Sequence, residues 1–319
     1  MKLISPVDRK SEAGALLDAG ATELYGGYVP QAWQQRFGLL ASINQRTFAG
    51  AQIDSYADLQ AIVAQCLQRG GEFALTLNAP FYSAAQQPLL LDYVAEAVEA
   101  GVTSVILADL ALLRLLKREF PNLLYHASTL AHLGNSAAIR FYQTQGVGRV
   151  ILPRHLTVAE MAEIRAQVAD VECDAFLLVG KCPNTEGLCT FHHSSPDKIW
   201  PCEIPYQLEA VQEQASDNLQ QVMARQQSWA DSDRRHGCGL CAIPQLIAAG
   251  ISGLKLVGRG APTVRKLKNL QLAVRFVQLA EETANFADYQ TLALRAHREH
   301  FGIGCCENVC YYPELHTQN

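Results

Sequence analysis

The residues of this sequence most able to do chemistry are its cysteines, and they are unevenly placed. Of the ten cysteines in 319 residues, eight lie between Cys182 and Cys310, in loops rich in Gly and Pro. Thiolate sulfur binds zinc, iron–sulfur clusters and other soft metals. Cysteines gathered in loops therefore predict a metal site, while Cys66 and Cys173, on a predicted helix and strand, are expected to pack as small apolar residues.

Composition bounds the class of protein. The chain is 49% apolar and 18% charged, which is enough apolar material for one large core. Its net charge of −5 gives no basic footprint, so attraction to a nucleic-acid backbone is not favoured. No apolar run approaches a membrane span or a signal peptide, and the sequence therefore predicts a cytoplasmic protein whose thiols stay reduced.

A short pattern that recurs along the chain shows how these residues are positioned. Each copy has a helical end, a Gly suited to a left-handed cap, and then a β-rich run. The four copies are Asp18–Tyr25, Glu99–Ile106, Thr144–Ile151 and Ala248–Lys255. The pattern predicts repeated junctions between a helix and a following strand.

Eight apolar runs extend from these junctions. Such runs are typical of strands that are buried on both faces, and amphipathic helices are predicted between them. The predicted strands are Lys2–Pro6, Glu23–Gly27, Phe73–Asn78, Ser104–Ala108, Leu123–Ala127, Arg149–Pro153, Ala175–Gly180 and Gly253–Gly258. The predicted helices are Tyr56–Gln68, Leu89–Glu99, Ala111–Glu119, Ser136–Gln145, Val158–Val168 and Val264–Glu282. The sequence predicts a single α/β domain over 1–319, a (β/α)8 TIM-like barrel, with an open doubly wound sheet as the alternative.

Three segments break this alternation. Residues 28–54 form a long connection after strand two, and residues 181–241 form a Cys-rich insertion between strands seven and eight. Both follow the carboxyl end of a strand, where barrels place their active sites, and long loops there are usually functional. Residues 286–319 are predicted to be a C-terminal tail that contains cysteines.

Four polar residues in or after the predicted strands are candidate catalytic or substrate-binding residues. Arg154 and Arg259 follow strands six and eight, where a guanidinium can pair with a carboxylate or phosphate; a structural salt bridge across the rim is the alternative. Asn78 ends strand three, where it can orient a substrate. His126 lies at strand five, where a substrate contact and a satisfied core histidine are equally expected.

Several motifs together resemble the U-32 peptidase (collagenase-like) family. Asp174–Cys182 followed by Gly187-Leu-Cys189 is similar to the signature of that family. The other matching segments are Leu3–Pro6, Ala19–Gly27, His126–Thr129, Leu152–Thr157 and Cys241–Arg259. Together they span nearly the whole chain.

The resemblance implies a 4Fe-4S cluster bound by Cys182, Cys189, Cys202 and Cys241. Spacing alone leaves zinc and an iron–sulfur cluster equally open. Four further cysteines fall outside the family pattern, where a second metal site and simple packing of the tail over the barrel are both open. These are Cys238, Cys305, Cys306 and Cys310.

The resemblance also implies a reaction, namely hydroxylation of an aromatic ring or nucleobase without molecular oxygen. The oxygen atom would come from a small donor such as prephenate. The acidic charge and the length favour a small aromatic substrate, a ubiquinone-type precursor, with a paralogous family member as a candidate heterodimer partner. Hydroxylation of an RNA nucleobase is the alternative and is not favoured. A peptidase and a non-catalytic cluster-bearing scaffold are further alternatives, although no G-x-S-x-G or H-E-x-x-H motif occurs.

Overall fold

The structure is a computed structural model of the chain. It describes residues 1–37, 42–45, 49–182, 187, 209–211, 215–230, 232–283 and 285–316. Of the four predicted cluster ligands, Cys189 and Cys202 lie outside these ranges.

Eight parallel strands close into a barrel in chain order, each strand pairing with the next and β8 pairing with β1. All eight predicted strands are present, with ends that differ by at most three residues, and the open sheet is excluded. The strands are β1 Lys2–Pro6, β2 Glu23–Gly26, β3 Glu72–Leu77, β4 Ser104–Leu107, β5 Leu124–Ala127, β6 Val147–Ile151, β7 Glu172–Leu178 and β8 Gly253–Leu256.

Helices lie between the strands and cover the barrel. All six predicted helices are present, and the described part of the chain contains five more. The helices are α1 Lys10–Asp18, α2 Gln31–Phe37, α3 Tyr56–Gln68, α4 Gln87–Glu99, α5 Leu110–Glu119, α6 Ser136–Thr144, α7 Val158–Gln167, α8 Asp217–Ala230, α9 Ile243–Ala248, α10 Thr263–Glu282 and α11 Phe286–Phe301. In the ranges that the structure covers, no helix has the length and apolar character needed to cross a membrane.

The glycines of the repeated pattern adopt the left-handed backbone conformation that the sequence predicts. Gly20, Gly101, Gly146 and Gly250 have φ values of 107°, 95°, 100° and 74°, a left-handed region in which a side chain would be strained. Each ends a helix and turns the chain into a buried strand, β2, β4, β6 or β8. The four junctions therefore fix where these strands start, and with that which side chains reach the barrel mouth.

The C-terminal segment differs from the predicted tail. Its first half is helix α11, and the chain after this helix returns to the barrel wall. The Tyr312 hydroxyl donates to the Phe176 carbonyl at 2.8 Å, and the Tyr311 hydroxyl donates to the Val179 carbonyl at 2.7 Å. Both tyrosines are buried, so the end of the described chain is docked beside the carboxyl end of β7.

Candidate functional site

A layer of charged side chains fills the inside of the barrel, and the sequence analysis missed it. Arg149 donates from Nε to Asp174 Oδ2 at 2.7 Å and forms a second ion pair with Glu23. Lys255 lies beside them, with its Nζ 3.8 Å from the centre of the Tyr25 ring. All of these residues are buried. The layer could have been predicted from the charged residues that interrupt otherwise apolar strand sequences.

Burial governs the protonation of this layer. It raises the pKa of Glu23 and Asp174, and the charge of Arg149 opposes that rise. It lowers the pKa of Lys255 to about 8, against the pull of the two carboxylates. Burial, together with the Arg149 and Lys255 charges, holds the pKa of His126 well below its usual value. His126 is therefore a neutral imidazole within the barrel, and its catalytic role stays a prediction.

Arg259 is buried and is engaged by the protein itself. One terminal nitrogen donates to Asn44 Oδ1 at 3.1 Å and to Thr76 Oγ1 at 3.2 Å. The other donates to Gln52 Oε1 at 2.9 Å and to the Ala51 carbonyl. In this conformation the guanidinium holds the long connection after β2 against the barrel rim. Binding of substrate by this residue stays a prediction.

Asn78 supports the same connection. Its side-chain oxygen accepts a hydrogen bond from the Gln45 backbone N–H at 3.2 Å, and Asn78 itself is half-buried just after β3. Both polar residues predicted at this side of the mouth thus position a loop in the described conformation. The loop, rather than either side chain alone, shapes that side of the opening.

Arg154 lies on the opposite side of the mouth, after β6. Its guanidinium carbon is 3.6 Å from the centre of the Phe176 ring, and its Nε donates to the Tyr311 hydroxyl at 3.3 Å. The Phe176 and Tyr311 rings are nearly parallel, with centroids 6.3 Å apart. A residue of the C-terminal segment therefore helps to orient the arginine, a contribution that could not be read from sequence spacing.

The predicted cluster ligands are only partly covered by the described residues. Strand β7 ends at Leu178, and Val179 and Gly180 then take left-handed φ values of 52° and 74° before Cys182, which is partly buried. A β-branched residue in that region is strained, and such strain is common where loops carry function. Leu178 also pairs with Cys238, three residues before Cys241. Cys182 and Cys241 thus both belong to segments at the carboxyl end of β7.

Cys241 has close neighbours that the resemblance did not assign to it. Its sulfur, the Cys310 sulfur and a His316 ring nitrogen all lie within 4.8 Å of one another. Cys241 and Cys310 are buried, and His316 is partly buried. Hydrogen bonds from Cys241, Cys305 and His316 lower the pKa of the Cys310 thiol. Cys310 of the tail thus faces Cys241 of the insertion, and the second metal site stays a prediction.

The same pair of residues could be taken for a nucleophile and its base, since Cys241 Sγ lies 3.6 Å from His316 Nε2. Two observations oppose that interpretation. Cys241 is only 4% exposed, so a peptide carbonyl could not reach it in this conformation. The hydrogen bond with Cys310, together with burial, raises the pKa of the Cys241 thiol, whereas an activated nucleophile needs a lowered one.

A basic pocket of about 380 Å³ lies where α10 begins, next to the rim of the barrel mouth. Arg265 and Lys268 line it from α10, and Arg235 lines it while paired with Asp233 at 2.8 Å. The remaining lining residues are His236, Pro262, Val264, Asn269, His300 and Phe301. The pocket concentrates positive charge on a chain whose net charge is −5, and this local arrangement suits a phosphate group.

Comparison with a family model shows a match over most of the chain. Residues 9–303 match the family described as peptidase family U32. Among solved structures, one described as a U32 peptidase is 15% identical, covering 62% of this chain and 78% of that chain with a TM-score of 0.43.

Curated relatives carry a more specific name. The tRNA hydroxylation protein P of Escherichia coli (strain K12) is 30% identical over 179 residues, which are 56% of this chain and 38% of that protein. The tRNA hydroxylation protein P1 of Bacillus subtilis (strain 168) is 28% identical over 177 residues, which are 53% of this chain and 41% of that protein. The matches thus span about two fifths of the length of these relatives.

Proposed function

This chain belongs to peptidase family U32, and from that premise we propose that it takes part in hydroxylating a nucleobase of transfer RNA without molecular oxygen. The observation that carries the proposal is the match to relatives named for tRNA hydroxylation, at 28–30% identity. A tRNA substrate is consistent with the cytoplasmic location that the sequence predicts.

The relatives support RNA in place of the small aromatic substrate that the sequence analysis favoured. That preference rested on net charge and length. Net charge is an average over the whole surface, while a phosphate responds to the charges within about one Debye length, ~10 Å at ordinary ionic strength. Arg265 and Lys268 supply such a local field at the rim. The basic pocket is therefore the proposed contact for the RNA backbone.

The proposed cofactor is a 4Fe-4S cluster held by Cys182, Cys189, Cys202 and Cys241. Two of the four donors support it: Cys182 follows the carboxyl end of β7, and Cys241 lies three residues after Cys238, which bridges Leu178 at that same end. Sulfur is the usual ligand of such clusters. When bound, the cluster would supply one-electron chemistry beside the barrel mouth.

Other residues of the chain would bind and orient the reactants. Arg154 lies over the Phe176 ring at the mouth, and a guanidinium there would pair with a carboxylate, as carried by a donor such as prephenate. Beneath it, the buried layer around Lys255 presents a cation whose pKa of about 8 lets it hold or release a proton near neutral pH. The loop that Arg259 holds would shape the other side of the mouth.

The test is a mass analysis of modified nucleosides from a strain that lacks this gene. We expect a tRNA nucleoside that is one oxygen atom heavier than its precursor to disappear, and the precursor to accumulate. Unchanged tRNA nucleosides together with an accumulated, unhydroxylated quinone precursor would overturn the proposal in favour of a small aromatic substrate. Cleavage of denatured collagen by the purified protein would instead support a peptidase.

A further inference from the structure

One buried tyrosine of the C-terminal segment joins two parts of the candidate site. The Tyr311 hydroxyl donates to the Val179 carbonyl at 2.7 Å and accepts from Arg154 Nε at 3.3 Å. Tyr311 is only 2% exposed, so water competes little for this hydroxyl. A phenol has a single proton to donate, and a guanidinium can only donate. The carbonyl therefore takes the proton, and the Tyr311 oxygen turns its lone pairs to the arginine.

The bond to Tyr311 limits how the Arg154 side chain can turn. The Arg154 guanidinium carbon is 3.6 Å from the centre of the Phe176 ring, and the Phe176 and Tyr311 rings are parallel to within 11°. The Phe176 ring restricts where the guanidinium lies, and the bond at Nε restricts its rotation over that ring. Two parallel bonds to a carboxylate require a planar guanidinium to face it in one orientation. Tyr311 therefore affects how well Arg154 can bind a carboxylate at the mouth.

Tyr311 also supports the turn that leads to Cys182. Val179 and Gly180 have left-handed φ values of 52° and 74°, and a β-branched residue keeps that conformation only where its surroundings hold it. The Val179 carbonyl accepts from the Tyr311 hydroxyl, and Lys181 Nζ donates to the Tyr311 carbonyl at 3.4 Å. Tyr311 thus bonds the residue before Gly180 and the residue after it. Cys182 is the next residue along the chain.

The segment that carries Tyr311 is itself bonded to the rest of the barrel. The Tyr311 N–H donates to the Cys238 carbonyl at 2.8 Å, and the Cys238 N–H donates to the Val309 carbonyl at 2.9 Å. Beyond Tyr311 in the chain, Glu314 Oε1 accepts from the Val158 N–H at 3.0 Å. The segment is therefore held on both sides of Tyr311, and the position of the hydroxyl is set by the fold.

We propose that Tyr311 is a positioning residue of the candidate site, whose hydroxyl orients Arg154 for a carboxylate and supports the turn that presents Cys182. The C-terminal segment is then part of the reaction site as well as a cover for the barrel wall. This role rests on the proposed function, which assigns Arg154 to a carboxylate and Cys182 to the cluster. Tyr311 acts through these two residues.

Tyr312 provides a matched control. It is 1% exposed, and its hydroxyl donates to the Phe176 carbonyl at 2.8 Å. Tyr311→Phe and Tyr312→Phe each delete one buried hydroxyl and keep the ring, so the two variants should lower Tm by similar small amounts. Of the two, Tyr311→Phe alone removes a bond to Arg154.

The Arg154 Nε–H gives a readout that needs no substrate. In the full chain labelled with 15N at arginine Nε, its nuclear magnetic resonance signal is the one missing from Arg154→Lys. We expect this N–H to exchange with water roughly tenfold faster in Tyr311→Phe, as for the loss of one hydrogen bond, and at the unaltered rate in Tyr312→Phe. An unchanged rate in Tyr311→Phe, or an equal rise in Tyr312→Phe, would overturn the proposal.

The reaction and the cluster give a second readout in protein purified without oxygen. Tyr311→Phe should raise KM for prephenate roughly tenfold with little change in kcat, and should release iron to a chelator faster than Tyr312→Phe does. In an Arg154→Met background, Tyr311→Phe should leave KM unchanged, because the hydroxyl acts through the arginine. Equal KM and equal iron release in the two tyrosine variants would overturn the proposal. If the unaltered chain hydroxylates no tRNA, the proposed function fails, and the exchange rate of the Arg154 N–H still decides the positioning.

Discussion

Replacing Arg149 by Met should destabilise the fold strongly. Arg149 is the shared partner of Glu23 and Asp174, and both carboxylates are only 1% exposed. Removing one partner from a buried ion pair costs about 3–5 kcal/mol because the remaining charge is left uncompensated. With ~2.1 cal/mol/K per residue, the entropy of unfolding of the 319-residue chain is roughly 0.7 kcal/mol/K. The Tm should therefore fall by about 4–7 °C near neutral pH.

The deficit should depend on pH in a defined direction. Burial already raises the pKa of Glu23 and Asp174 above their unfolded values, and loss of the Arg149 charge would raise both further. A carboxyl with a raised folded pKa loses stability as the pH climbs from its unfolded value of about 4 through the folded value, since the unfolded chain ionises first. The difference in Tm between Arg149→Met and the unaltered chain should thus be smaller at about pH 4.5 than at about pH 7.

Thermal unfolding followed by circular dichroism at the two pH values is the assay. Arg140→Met on α6 is the control, because Arg140 is exposed and donates to the side chain of Gln167 at the surface, so its loss should cost less than about 0.5 kcal/mol. Adding Glu23→Gln and Asp174→Asn to Arg149→Met should recover much of the lost Tm. The reasoning would be refuted if Arg149→Met lowered Tm no more than the control, or by the same amount at both pH values.

Three further predictions concern the mouth and its supports. Arg265→Ala and Lys268→Ala should each weaken tRNA binding and reduce the slope of log K against log salt concentration by about one. Arg295 is paired with Glu299 elsewhere on the surface, so Arg295→Ala should change neither. Equal slopes for all three variants in a filter-binding titration would contradict the basic pocket as an RNA contact. Arg259→Met should lower Tm by a similar amount to Arg149→Met, because the Ala51 carbonyl loses its guanidinium donor and the buried Asn44–Gln52 pair loses the guanidinium while keeping the bonds between its own two amides. A full loss of hydroxylation with unchanged Tm would instead assign Arg259 to the substrate. Gly253→Ala should lower Tm by disturbing the charged layer, because its new Cβ would clash with the Asp174 carboxylate and lie 2.9 Å from Ile4 Cδ1. An unchanged Tm would contradict that packing.

The barrel itself could be predicted from local features. A helix end, a Gly that must adopt positive φ, and a short apolar run occur together at Gly20, Gly101, Gly146 and Gly250. Each junction is set by a few adjacent residues, so it can be read from one stretch of sequence. No such Gly junction precedes β7, and the predicted start of this strand was three residues late.

The candidate site depends on contacts between distant segments, and these were largely missed. Arg259 was correctly placed at the rim, but its partners Asn44 and Gln52 come from a connection more than 200 residues earlier. Cys241 meets Cys310 and His316 only because the tail returns to β7, which no spacing rule encodes. Net charge could not reveal the basic pocket for a similar reason, because a total over the chain does not show that Arg265 and Lys268 lie together.

Oxygen-independent hydroxylation of tRNA by this chain is tested most directly by complementation under strict anoxia. A strain lacking the gene would be supplied with the unaltered gene or with Cys182→Ala, and its tRNA nucleosides analysed by mass. We predict that the unaltered gene restores the nucleoside carrying one extra oxygen atom, and that Cys182→Ala, present at an equal level, does not. A nucleoside profile that is the same with the gene, without it and with Cys182→Ala would contradict the account.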